Sequence, residues 1–427
     1  MDIINSKKIV FFTFFSLLLF QLAFSFLYPT HGEGKGWLSL TELVSHQKSP
    51  LNGSEASLIN KFSPILGGYQ VNADGGQYVL LANKFPEYYW QGSNIFLPRP
   101  LYSFLISAVA FLPRLFSDSL AIVFASAIFL NFILAFGSVL LFYILFKRLI
   151  SPRVAFLASL LLIFSPFFHV WLVQPLPEML GIFMVAASLY FLASYIQSPS
   201  HLKLAVFSLI VGLFMLGKML FAIPFFILAL AVYFKRYKEG ILFLIIHLIP
   251  LGLWYLTVTM VFKIGYRVTE VADFSVGSWL LNIFRWPWQQ TAGIFLNILP
   301  QFISSVVYGF LLLPLVFAFL GFKNFILKNK NFICFSFIFS FLALFFIMNF
   351  YTPRHAFLLF PVIYPLAVLG IDRVADYLKR YKAWYAKAFL VAVFIFLIII
   401  SNINIFKIFP YDSSINSKYF QSFFFQW

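Results

Sequence analysis

The chain has 427 residues, 62% of them hydrophobic and only 10% charged, where a soluble domain carries about 25% charged residues. Apolar runs of about 20 residues, enough to cross a bilayer as a helix, recur from end to end and exclude a soluble globular protein. The formal charge of +16 does not indicate nucleic acid, because the basic residues sit in short loops between apolar runs, the pattern that sets membrane topology. The single Cys334 excludes a disulfide within the chain and any multi-cysteine metal site.

The expected fold class is an all-α polytopic membrane protein of about eleven transmembrane helices, forming one domain over residues 1–427. Lys7 and Lys8 precede an apolar run from Ile9 to Tyr28, longer than a signal-peptide core of about 7–15 residues and therefore read as a retained first span. Its basic end stays in the cytoplasm, which puts the next loop outside. That first extracytoplasmic loop covers residues 30–100. Trp37, Leu38, Leu40, Leu43 and Val44 fall near one helical face opposite Ser39, Glu42 and His46, which predicts a helix lying in the membrane interface. A second interfacial helix is expected over Leu101–Leu112, too short to span.

Further spans are expected over Leu120–Phe146, Val154–Leu172, Met179–Ile196, two short ones from Leu204 to Phe234 divided at Lys218, then Ile241–Phe262, Ala292–Gly321, Phe332–Phe350, Ala356–Ile371 and Ala388–Phe409. Basic loops follow several of them, through Lys147 and Arg148, Lys235 to Lys238, Lys323 to Lys330, and Arg373 to Lys387. With the N-terminus inside, these loops all fall in the cytoplasm, as the positive-inside bias requires. The division at Lys218 makes the parity work. The Asp74 loop, Glu178, Lys218, a second outer loop over residues 263–291 and Arg354 then face outside. The chain is placed in the cell inner or plasma membrane with an extracytoplasmic active site.

Asp74, in Asn72-Ala73-Asp74-Gly75-Gly76-Gln77-Tyr78, is the acid best placed for chemistry. A carboxylate held at the membrane surface can take a proton from an attacking hydroxyl, a role that supplies about 10²–10⁴-fold. Asp74 with Gln77 also has the form of a capping box for a helix from Gly75 to Phe85, and the two roles can coexist. Glu178, at the outer start of a span, can orient substrate or answer the dipole of its own helix. Lys218 interrupts a long apolar stretch, where a charge costs about 2.5–3.5 kcal/mol if it stays in hydrocarbon. Turning the chain there lifts it to the surface, where it can bind a lipid phosphate or snorkel to headgroups. Arg354 and His355 stand in a short outer turn, and the Arg offers a donor fork suited to phosphate oxygens. Arg99, between two prolines, is a weaker site of the same kind. Trp279, Trp286 and Trp288 in the second loop suit an interfacial belt. No nucleotide-binding or metalloprotease motif is present.

The order of these features resembles the membrane-embedded GT-C glycosyltransferases, in particular the bacterial and archaeal branch related to protein mannosyltransferases and to the aminoarabinose transferase of lipid A. The resemblance is carried by Asp74-Gly75-Gly76-Gln77-Tyr78, Pro100-Leu101-Tyr102, Pro177-Glu178, Gly217-Lys218 and the run from Arg354 to Pro361. It departs at Gly75, where many relatives carry Glu, and at His355, where Tyr is common. The resemblance implies transfer of a sugar, by inversion, from a polyprenyl-phosphate carrier to an extracytoplasmic lipid, glycan or protein acceptor. It makes Asp74 the general base, and Glu178 is expected as the second catalytic acid. It implies that Lys218 and Arg354 hold the carrier phosphate; beside it, His355 and Arg99 are expected as further phosphate-binding residues and Tyr78 and Tyr102 as substrate-binding residues. No cofactor is expected, and a divalent metal stays open. The alternatives are a flippase or transporter, or a polymerase, of lipid-linked saccharides. A transporter calls for charges deep in the spans, where His247 is the nearest titratable group and reads as a packed core histidine. A non-catalytic subunit is a further alternative.

Overall fold

The structure, a computed structural model, describes residues 6–27, 37–39, 70–87, 100–117, 119–217, 235–263, scattered positions between 287 and 310, and residues 311–328 and 357–402. The chain divides into two compact units. One comprises Met1–Met219, His247–Gly265 and Phe396–Ile408, and the other Leu220–Ile246, Tyr266–Ile395 and Phe409–Trp427. The protein is a helical membrane protein. Among the described residues, four helices are long and apolar enough to cross a bilayer: Lys8–Ser25, Leu120–Leu149, Glu178–Gln197 and Tyr237–Val261. The segments expected to span over 218–234, 292–310, 332–350 and 403–409 lie wholly or largely outside the described residues.

In the first unit, α1 (Lys7–Leu27) follows the expected first span. Its buried residues Val10, Phe14, Leu18, Gln21 and Ser25 recur every three or four positions, one stripe of a helix. Phe11, Phe12, Phe15, Leu19 and Phe20 are exposed on the remaining surface, which suits contact with lipid tails. The stripe packs on α4 (Leu120–Leu149) and on α5 (Pro152–Ile163). Phe14 stacks on Phe156 and meets Tyr143 edge to face. The α4 helix has 30 residues, about 45 Å of rise, so it extends beyond the hydrocarbon layer. It begins at Ser119, whose hydroxyl accepts from the Ala121 N–H, and ends in Lys147 and Arg148, cations favoured at a helix C-terminus. Arg148 lies 5.3 Å from the centre of the Tyr190 ring.

The sequence places one span over Val154–Leu172; the structure breaks it into α5 and α6 (Pro166–Val173). The break falls at Ser165-Pro166. Proline has no N–H to continue the ladder and restricts the residue before it. Ser165 then caps the new helix through the Phe168 N–H at 3.3 Å. Ser151 and Pro152 start α5 in the same way. Next come α7 (Glu178–Gln197) and α8 (His201–Met215), the latter capped by Ser200. The α8 helix stops at the turn Leu216–Gly217, immediately before the expected division at Lys218. In α9 (Tyr237–Leu256) the helix loosens into a π-turn over Thr257–Val261. Its His247 is buried, and a Cβ built on Gly212 of α8 would stand only 2.2 Å from the His247 carbonyl oxygen, so glycine is what permits the two backbones to meet.

The first loop departs from expectation over residues 37–39. Instead of an interfacial helix, Trp37–Ser39 forms β1, antiparallel to β2 (Gln70–Asn72), with Trp37 opposite Asn72 and Ser39 opposite Gln70. Three residues cannot fix a period, and a partner more than thirty positions away in sequence decides the backbone. Residues 40–44 lie outside the described residues. The second expected helix is present as α3 (Pro100–Arg114). It buries Tyr102, Ser103, Ile106 and Ala110 on one face and exposes Phe104, Phe111 and Leu112 on the other.

In the second unit, α10 (Leu312–Lys328) crosses α11 (Phe360–Lys379), which follows a 3-10 turn at Phe357–Leu359. Leu311 has φ of +65°, so the helix expected from Ala292 through Gly321 is interrupted there. Lys323, Lys328, Arg373 and Lys379, expected in basic loops, are helical instead. The Arg373 guanidinium donates to the Leu320 carbonyl at 3.2 Å. The last described helix is α12 (Ala383–Asn402).

Candidate active site

The site is built in the first unit around α2 (Ala73–Asn83), which continues directly from β2. Because the helix begins at Ala73, Asp74 stands within its first turn and not at the cap; a carboxylate there is favoured by the unpaired N–H groups and the helix dipole. The capping box expected of Asp74 and Gln77 is corrected accordingly. The side chains of both residues lie outside the described set.

Three contacts hold α2. Tyr78, Val79, Leu81 and Ala82 are buried. Gly75, next to Asp74, lies against the segment before α7: a Cβ added to it would stand 3.1 Å from Pro175 Cγ and 3.4 Å from the Pro175 carbonyl oxygen. At the other end, Arg114 of α3 donates to the Asn83 carbonyl at 3.0 Å, satisfying one of the acceptors that a helix terminus leaves open.

The segment beneath Gly75 is the α6–α7 connector, residues 174–177. Its backbone folds tightly, with the Leu176 N–H donating to the Gln174 carbonyl at 2.7 Å. Glu178 is the first residue of α7 and is 2% exposed, so its carboxyl group belongs to the interior and not to a solvated surface. Pro177 precedes it without a side-chain cap.

The start of α3 joins the same end of the unit. The Leu101 N–H donates to the Leu216 carbonyl at 3.0 Å. Gly217 lies so close to Leu180 and Leu101 that a Cβ there would come within 2.8 Å and 3.3 Å of their methyl groups. The backbones leading to Arg99, Asp74, Glu178 and Lys218 are thereby gathered by direct contacts. Arg99 and Lys218 themselves lie outside the described residues, as do Arg354 and His355.

Tyr78 and Tyr102 are both within the interior, their rings edge to face at 5.4 Å. The Tyr102 hydroxyl donates to Asn131 Oδ1 at 2.9 Å. Their burial fits support of the site better than contact with a sugar.

Two buried polar groups that the sequence reading passed over tie α6 into this arrangement. Asn131 of α4 donates to the carbonyls of Trp171 and Gln174. His169 meets Gln21 and Ser25 of α1, with Ser25 Oγ 2.9 Å from His169 Nδ1. The signal for Asn131 was present: an amide in the middle of a long apolar helix needs partners. Among the described residues no three His, Cys, Asp or Glu side chains cluster as metal ligands would.

Residues 99–262 match the family model of dolichyl-phosphate-mannose-protein mannosyltransferases. This match begins at α3 and ends with the π-turn after α9. Among solved structures, the chain is similar to ArnT from Cupriavidus metallidurans bound to undecaprenyl phosphate, at a TM-score of 0.51 and 16% identity, covering 71% of this chain and 56% of that one. It is also similar to the Archaeoglobus fulgidus oligosaccharyltransferase in complex with Zn and sulfate, at a TM-score of 0.51 and 17% identity, covering 77% of this chain and 48% of that one. The chain thus spans about half the length of these proteins. No curated protein sequence matches it. The chain is therefore an integral membrane protein of the GT-C fold, whose residues 99–262 match the protein mannosyltransferase family.

Proposed function

We propose that this protein is a membrane glycosyltransferase that moves a sugar from a polyprenyl-phosphate carrier to a lipid, glycan or protein acceptor outside the cytoplasm. One observation carries the reading. The first turn of α2, which holds Asp74, lies against the connector that leads to Glu178, and the α3 start and the turn before Lys218 meet at the same end of the unit. The described segments next to Asp74, Glu178, Arg99 and Lys218, far apart in sequence, thus touch one another, which supports a shared site. The matched family's description and the undecaprenyl phosphate of the ArnT structure support a lipid-phosphate sugar donor.

In this reading the acceptor oxygen attacks the anomeric carbon from the face opposite the carrier. The new C–O bond forms as the bond to the phosphate oxygen breaks, and the configuration inverts. Asp74 takes the proton from the acceptor hydroxyl, and the bonding pair leaves with the polyprenyl phosphate. That leaving group needs little protonation, so charge stabilisation by Lys218, Arg354, His355 and Arg99 takes the place of a general acid. Glu178, on a helix N-terminus in a buried setting, orients the acceptor. Tyr78 and Tyr102 pack behind the reacting groups.

The test is Asp74→Asn, assayed in membranes that contain the native lipid-linked sugars. The variant is expected to insert normally and to bind undecaprenyl phosphate as the parent does, with transfer reduced about 10²–10⁴-fold. Transfer at the parent rate would remove Asp74 from the mechanism.

A further inference from the structure

We infer that Asn131 is a positioning residue for the candidate site: its amide donates to the Trp171 carbonyl, whose helical donor position is taken by Pro175, and joins the Leu176 N–H on the Gln174 carbonyl, tying the α6–α7 connector to α4. The inference rests on the reading of Asp74 and Glu178 as reacting groups, but the anchor is visible without it. The α6 helix has eight residues and ends at Val173. In an uninterrupted helix the Trp171 carbonyl would accept from the N–H of residue 175. That residue is Pro175, which has no N–H, and Pro177 has none either. The Trp171 carbonyl therefore has no N–H donor at position 175 of its own chain, in an interior that supplies no bulk water.

Asn131 donates to that carbonyl and also to the Gln174 carbonyl, which accepts from the Leu176 N–H as well. It is fully buried on α4, and its Nδ2 reaches the Trp171 carbonyl at 3.1 Å and the Gln174 carbonyl. Two carbonyl oxygens can only accept, so the nitrogen side of the amide must face them. The oxygen side is then left for the Tyr102 hydroxyl, which donates to it at 2.9 Å. One side chain thus joins α4, the first turn of α3 and the connector. Only a planar amide offers two donors and an acceptor at this reach. The connector then lays Pro175 against Gly75, adjacent to Asp74, and starts α7 at Glu178. Asn131 consequently fixes the spacing between the two acids while touching neither.

The experiment uses the full chain in lipid nanodiscs and follows hydrogen exchange over residues 173–180. Asn131→Asp keeps the shape and the acceptor for Tyr102 but removes the donors. It is expected to raise exchange in this segment about tenfold. Ser138→Ala, on the same helix and removing a buried hydroxyl that donates to the Leu134 carbonyl one turn back, is expected to leave it unchanged. Turnover with native membrane donors is expected to fall about tenfold in the Asp variant at an unaltered KM, because positioning of the acids and not carrier binding is lost. Should Asn131→Asp fail to insert, Asn131→Ala brings no charge into the bilayer and carries the same expectation. Unchanged exchange overturns the anchor whatever the activity shows. Raised exchange with parental turnover overturns the positioning role. Raised exchange in a protein whose parent form transfers no sugar keeps the anchor and sinks the proposed function.

Discussion

The Leu101 N–H donates to the Leu216 carbonyl oxygen at 3.0 Å, joining the first turn of α3 to the turn that ends α8. This single bond brings together two chain segments more than a hundred positions apart. One leads back to Arg99 and the other on to Lys218. The pairing makes sense of a basic residue at each place if both serve one anion.

The first prediction follows from that junction. Lys218→Ala and Arg99→Ala are each expected to weaken binding of undecaprenyl phosphate about tenfold, the scale of one charge-assisted hydrogen bond. Arg354→Ala is expected to do the same. Lys218→Arg keeps the charge and is expected to retain most of the affinity. Titration of the lipid against the melting temperature of the purified protein measures all four. Parental affinity in Lys218→Ala and Arg354→Ala together would leave the phosphate site unassigned.

A second prediction concerns Gly75. A methyl there would meet Pro175 Cγ at 3.1 Å, tight but open to a small adjustment of the proline ring. Gly75→Ala is therefore expected to keep the fold and much of the activity. Gly75→Val adds two more carbons against the same ring and is expected to cost about 1–3 kcal/mol of stability, as overpacking does. Its larger effect falls on transfer, because the first turn of α2 must move away from the connector and carries Asp74 with it. Comparing melting temperature with turnover across the two variants separates these effects. Equal turnover in both would show that the spacing between α2 and Pro175 does not matter.

A third prediction follows from the Arg114 bond to the Asn83 carbonyl, 3.0 Å long and partly buried. Arg114→Met keeps most of the apolar stem while removing the donors. It is expected to destabilise the protein by about 1 kcal/mol and to loosen the C-terminal turn of α2. Hydrogen exchange at residues 80–84 reads the local effect. Exchange unaltered there would mean that the apolar face of α2, led by Tyr78 and Leu81, holds the helix unaided.

Much of this architecture is legible in the sequence where one strong effect decides it. The apolar stretches of α1, α4, α7 and α9 are long enough to cross a bilayer, and α8 stops at Leu216–Gly217, just before the lysine that interrupts the apolar run in the sequence. The motifs around Asp74, Tyr102, Glu178 and Lys218 are visible as breaks in an apolar text, and the structure brings the backbones around all four together. Other features depend on partners that sequence order conceals. The pairing of Trp37–Ser39 with Gln70–Asn72 replaces a helix because a distant strand satisfies the backbone. The division between α5 and α6 is signalled by Ser165-Pro166, yet apolar length alone runs straight through it. Arg373 and Lys379 read as loop residues by charge but continue α11, since Arg373 finds a carbonyl on α10 to bond. Asn131 announces that partners exist without saying which.

The last prediction tests the second unit by itself. In α10 and α11, Gly321 and Gly370 lie where the two backbones touch. A Cβ on Gly321 would stand 2.0 Å from the Leu366 carbonyl oxygen, and one on Gly370 would stand 1.9 Å from that of Phe317. No rotamer change relieves such contacts, because the atoms met are backbone. Small residues at helix contacts in membranes permit close packing where no hydrophobic driving force separates protein from lipid. Gly321→Ala and Gly370→Ala must therefore push the helices apart and are each expected to cost about 3 kcal/mol, at the upper end for overpacking. The double variant is expected to lose less than the sum, because one separation relieves both clashes. Gly252, whose Cβ would meet nothing within 4 Å, supplies the control: Gly252→Ala is expected to be neutral or slightly stabilising through its better helix propensity. Thermal unfolding in detergent ranks the four variants, and additive losses at Gly321 and Gly370 would mean that the two glycines do not share one crossing.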